Sequence, residues 1–122
     1  MTTSNANIIP ADFVDIDRAV RRAWGADTTA ASEWSAELPE RGQCAVVALL
    51  LQDAYGGILK RALVNGESHY WNEINGEVVD LTRAQFTGEL VIEDEVVRER
   101  DYVLSFPVTA ARYKLLKDRV RI

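Results

Sequence analysis

A chain of 122 residues with 48% hydrophobic content can bury one core of its own but not two, so residues 1–122 are expected to form a single domain, with residues 1–11 loose. Fourteen Lys and Arg lie scattered against nineteen Asp and Glu for a net charge of −5, which argues against nucleic acid as a partner. No apolar stretch approaches the roughly 18 residues of a membrane span, and the lone cysteine cannot close an internal disulfide; a cytoplasmic protein that does not engage the membrane is expected.

In chain order, Phe13, Ile16, Val20, Ala23 and Trp24 recur at helical spacing over residues 12–24. Acidic residues come early and Arg18, Arg21 and Arg22 late, as the helix dipole prefers, and Gly25 is a fitting stop. Residues 26–42 show no period and read as a long loop, with one helical turn near residues 30–34. The run Cys44-Ala45-Val46-Val47-Ala48-Leu49-Leu50-Leu51, closed by Tyr55 and Gly56-Gly57, is apolar on every side and predicts a buried central helix headed by the chain's one cysteine. Strands are predicted at residues 58–64, 68–74 and 77–81. Asn65-Gly66 and Asn75-Gly76 between them are hairpin turns, giving a three-stranded antiparallel meander. Thr82 with Gln85 three residues on suggests a capped short turn over residues 82–86. Residues 90–97 and 101–106 are further strand candidates, and residues 110–120 a closing helix capped by Thr109. The fold class is α+β: a central buried helix with Cys44 at its N-terminus, packed on an antiparallel sheet.

The single Cys and single His invite a joint reading. At the head of a helix, free backbone N–H groups and the dipole favour a thiolate, the form in which cysteine is nucleophilic. A two-residue turn at Asn75-Gly76 pairs Ile74 with Glu77, so His69, Trp71, Asp80 and Thr82 share one face, and Asp80 lies diagonal to His69 at about 7 Å. If the central helix packs on that face, Cys44, His69 and Asp80 form a nucleophile, a base and its orienting acid. The Cys44 backbone N–H and the Gln43 amide are candidate oxyanion donors. Asn72 is a competing orienter, though parity turns it to the opposite face, and Trp34 and Trp71 are candidates for a substrate cleft.

His69-Tyr70-Trp71-Asn72-Glu73 and Val78-Val79-Asp80-Leu81-Thr82, following a cysteine-headed helix, resemble the core of transglutaminase-like and papain-like cysteine enzymes. More closely, Gly42-Gln43-Cys44-Ala45-Val46, Ser68-His69-Tyr70-Trp71-Asn72, Asp80-Leu81-Thr82 and Arg112-Tyr113 are similar to the small bacterial YunG-like family, over roughly residues 32–120. The resemblance implies an acyl-transfer fold. The chain departs from it in its shortness and in placing Gln43 next to Cys44.

Each residue has a plainer role. An apolar-helix Cys is commonly a small buried hydrophobe, a strand His or a Trp commonly core, and Asp80 a turn residue. A zinc site of Cys44, His69 and Asp80 would have three ligands and one open position, but no paired His or Cys spacing supports a metal. The expectation is a cofactor-free cysteine hydrolase or acyltransferase that acts on an amide, isopeptide or thioester of a peptide, protein or small acyl substrate through an acyl-enzyme. The alternative is a non-catalytic peptide- or protein-binding module. The oligomeric state leaves no mark in the sequence.

Overall fold

The computed structural model describes residues 10–120, so most of the expected loose segment lies outside the described residues. A single 3-10 turn, Ala11–Phe13, leads into α1, Val14–Ala23, which buries Ile16, Val20 and Ala23. Residues 24–43 form turns and irregular chain, with no helical turn at residues 30–34. Then come α2, Cys44–Tyr55, and the strands β1, Ile58–Val64, β2, Glu67–Ile74, and β3, Glu77–Val79. After a 3-10 turn at Arg83–Gln85 the chain forms β4, Ile92–Arg98, followed by α3, Arg100–Leu104, and α4, Pro107–Val120. The result is α+β: a four-stranded antiparallel sheet in the order β3-β2-β1-β4 with four α-helices among the described residues.

Both hairpins form where the Asn-Gly pairs stand. Asn65 and Asn75 take φ of 51° and 53° and Gly66 and Gly76 φ of 83° and 78°, the two successive positive values that a type I′ turn needs. The pairs Ile74–Glu77, Glu73–Val78 and Asn72–Val79 follow the expected register, but β3 ends at Val79 instead of running to residue 81.

One strand expectation is overturned. Residues 101–106, whose Tyr-Val-Leu run has β character, belong to α3 and the turn after it. Helical chain there keeps Val103 in the core and lets Arg100 donate to Leu49 O and Gln52 Oε1 in the second half of α2, tying α3 to the central helix. Helix α4 also begins earlier than Thr109 implies, at Pro107, whose fixed φ and missing N–H suit a first helical position.

The core places α2 in the middle, with Val46 to Leu51 all buried. It packs with α1, α4 and the sheet face carrying Leu59, Ile74 and Val79. Asn72, on that same face, donates from Nδ2 to Ala48 O at 2.9 Å, tying β2 to the helix. A second, smaller cluster of Ala62, Val64, Trp71 and Phe86 covers the opposite face of the sheet. The helix therefore packs on the face away from His69 and Trp71, contrary to the arrangement on which the sequence-based triad was built. Burial of α2 with α1 and α4 in one core on the Leu59, Ile74 and Val79 face decides this, because an all-round apolar helix settles where it removes most surface from water. Among the described residues no helix is long and apolar enough to cross a membrane.

Candidate functional site

Cys44 is the first residue of α2, so its backbone N–H has no acceptor one turn earlier. It is half-buried and opens on a cavity of about 560 Å³ whose lining includes Ala31, Gly42, Ser68, Tyr70 and Gln85. Gly42 brings the loop there. Its φ is +77°, and a Cβ at this position would stand 2.2 Å from Thr29 Oγ1 and 2.5 Å from Ala31 N, so only glycine fits.

His69 sits on the other face of β2, 2% exposed, with Cys44 near enough to act on its charge. Because β3 pairs only with residues 72–74 of β2, the edge at residues 67–71 is free of it, and the chain after Val79 turns back over that opening. Asp80 thereby reaches His69 directly, with Oδ2 2.7 Å from Nε2. Its other oxygen accepts from Thr82 N and Thr82 Oγ1, both at 3.2 Å, which fixes the carboxylate. Burial disfavours a charged ring, but the Asp80 hydrogen bond and the nearby Cys44 outweigh it and raise the His69 pKa from 6.5 to about 9. Phe86, edge-on at 4.9 Å, and Trp71, stacked at 6.1 Å, shield the ring.

The hydrogen bond to the ring's other nitrogen comes from a residue outside the expected site. Gln85 Nε2 lies 3.1 Å from His69 Nδ1, and Gln85 Oε1 accepts from the Gly42 N–H at 3.2 Å. Gln85 thus links the loop before Cys44 to the imidazole. In the sequence it was noticed only as the partner of Thr82 in a helix cap. That cap does not form: Thr82 makes no side-chain cap bond, and its hydroxyl serves Asp80.

Of the expected site residues, Asp80 bonds His69, Trp71 stacks on the ring from the face opposite α2, and Cys44 lies near enough to act on its charge, while Gln43, Asn72 and Trp34 are engaged elsewhere. Gln43 is fully buried and points away from the cavity; its Oε1 accepts from Thr28 Oγ1 at 2.7 Å and its Nε2 donates to Gly25 O at 3.0 Å. With both amide atoms engaged, it anchors the loop and offers no donor to an oxyanion. Asn72 orients α2 and not His69. Trp34 lines a separate cleft with Arg21, Trp24, Ala36 and Pro39 and donates to Pro39 O, because residues 35–41 fold back beneath it. Trp71 packs on the far face of the sheet, where it borders a second cavity of about 320 Å³ together with His69 and Asp80. Among the described residues no group of three or more His, Cys, Asp and Glu is placed to hold a metal ion, so the zinc alternative finds no ligand set there.

A family model described as YunG protein matches residues 12–122, nearly the whole chain. The chain belongs to the YunG family. Within that family it is similar to a Bacillus subtilis (strain 168) protein described as "Uncharacterized protein YunG", at 39% identity over 67 residues. That match covers 55% of this chain and 56% of the relative, so the chain spans little more than half the length of the relative it matches. The YunG-like resemblance of the cysteine, histidine and aspartate segments is thereby shown as family membership. No solved structure matches the chain.

Proposed function

We propose that the protein is a cysteine hydrolase or acyltransferase with a papain-like or transglutaminase-like arrangement, acting on an amide, isopeptide or thioester carbonyl. The observation that carries this is the buried His69, held at 2.7 Å by Asp80 and raised in pKa by both Asp80 and Cys44, beside a thiol that opens on a cavity. Perturbed titration of a buried group in contact with a potential nucleophile is the signature of an activated site.

The chemistry follows from which ring nitrogen is engaged. Nε2 faces a carboxylate, so it carries a proton throughout, and Nδ1 is the position that holds the proton drawn from the thiol, as the raised pKa of the ring favours. As Sγ bonds to the carbonyl carbon, the C=O electron pair moves onto oxygen, where the Cys44 N–H at the helix head can receive the charge. Collapse expels an amine or thiol that takes back the proton from Nδ1, leaving a thioester on Cys44. Water or an amine then attacks that thioester, which separates hydrolysis from transfer. A reducing, cytoplasmic setting suits this use of a lone, accessible thiol, which oxidation would otherwise disable.

The direct test is an acyl-enzyme. Incubation with activated acyl donors, such as short acyl thioesters, should add one acyl mass to Cys44, absent in Cys44→Ser and at least about tenfold slower in His69→Ala. Acylation of Cys44 at the same rate without His69 would show an ordinary surface thiol. A Cys44→Ser protein that retains its full biological role would support the peptide- or protein-binding alternative.

A further inference from the structure

We propose that Gln85 is a positioning residue that sets the protonation of His69. Its amide favours the neutral ring, with Nδ1 as an acceptor, against the charged form that Asp80 and Cys44 favour, and is released when Nδ1 takes up the thiol proton. The proposal rests on the reading of Cys44 as a nucleophile only for its consequence in catalysis; the bridge between Gly42 and His69 stands by itself.

Gly42 supplies the orientation. A backbone N–H can only donate, so the Gln85 oxygen faces it, at 3.2 Å, and the amide nitrogen faces Nδ1, at 3.1 Å. An N–H aimed at Nδ1 requires a lone pair there. The other nitrogen, 2.7 Å from Asp80, then carries the ring proton, and one tautomer satisfies every contact. A hydrogen bond made to the neutral form opposes charging, so Gln85 works against Asp80 and Cys44, which favour the charged ring.

The charged and titratable groups around the ring come from five places in the chain. Asp80 follows β3 and Cys44 heads α2, while Arg83 of the 3-10 turn, with Glu73 of β2 and Glu95 of β4, borders the cavity on the ring's far side. Glu73 and Glu95 are both engaged by Lys60, at 3.4 and 2.8 Å, and the Gln85 amide is hydrogen-bonded to Nδ1 itself.

When the Sγ proton moves to Nδ1, both ring nitrogens become donors and the Gln85 N–H loses its acceptor. Gln85 lines the Cys44 cavity, so the freed N–H faces the space where the carbonyl oxygen gains its electron pair as the Sγ–C bond forms. Proton transfer and the appearance of an oxyanion donor are thus one event.

One His and one Cys make the readouts unambiguous. Ring ¹⁵N shifts of the full chain should show the neutral His69 protonated on Nε2, and the Gly42 amide should titrate with the His69 midpoint, because Gln85 links them. In Gln85→Met, which keeps the bulk and removes the amide, the midpoint should rise by about half a unit or more and the Gly42 response should vanish. Iodoacetamide should then alkylate Cys44 near pH 6 about threefold faster or more. A Gly42 amide that ignores His69 in the wild type overturns the proposal even if the variant fails to fold. So does a midpoint unmoved or lowered in a folded Gln85→Met. Alkylation indifferent to His69→Ala removes the nucleophile reading instead, and the His69 midpoints still decide the role of Gln85.

Discussion

Asp80 stands one residue beyond the end of β3, and that step out of the sheet is what brings its Oδ2 to 2.7 Å from His69 Nε2. Had the strand continued, the pair would have stayed diagonal across the ladder, about 7 Å apart at the backbone, and met only through extended side chains. The contact is between a ring 2% exposed and a carboxylate 14% exposed, so solvent screens it little.

Replacing the carboxylate by its amide isolates that charge. Asp80→Asn should bring the His69 pKa well down from about 9, because burial then acts against Cys44 alone. NMR titration of the single histidine measures it directly. A midpoint still near 9 would assign the rise to Cys44 instead.

Stability should depend on pH through the same ring. The folded-state pKa lies above the unfolded one, so the stabilisation is full below pH 6.5 and is lost as the pH rises through about 9. The loss across that window is of order 3 kcal/mol. Urea unfolding of the wild type at pH 6 and pH 9.5 should show it, and His69→Gln should flatten the slope.

Gln43 should behave as an anchor and not as part of the chemistry. Gln43→Ala removes two buried hydrogen bonds, to Thr28 Oγ1 and Gly25 O, and opens a cavity under the loop. A stability loss of about 2–4 kcal/mol is expected from the lost hydrogen bonds and lost packing. Below its melting transition the variant should keep the pH profile of Cys44 alkylation. A changed profile would return Gln43 to the site.

Gly42→Ala tests the loop that delivers the thiol. The added Cβ would stand 2.5 Å from a backbone nitrogen at a φ of +77°, so neighbouring chain must move. Thermal unfolding should register a loss of about 2 kcal/mol or more. The Gly42 N–H bond to Gln85 should be disturbed as well.

Local chemistry was legible in the sequence. The two Asn-Gly turns require positive φ at both residues, and they set the register that put Asp80 near His69. The bounds of α2 follow from a continuous apolar run and the glycine pair after it. The family resemblance, carried by the cysteine, histidine and aspartate segments, is likewise a property of sequence alone.

Only the tertiary structure decided which sheet face receives α2, where β3 ends, and which glutamine serves the site. Each depends on competition between distant segments. Either face of β2 offers apolar residues to a helix, and burial with α1 and α4 settles the choice. A glutamine beside the cysteine and one forty-one positions later are equivalent as sequence; Gly25 and Thr28 claim the first, and the open edge of β2 admits the second. Periodicity reports how a segment meets its surroundings, not which surroundings it meets.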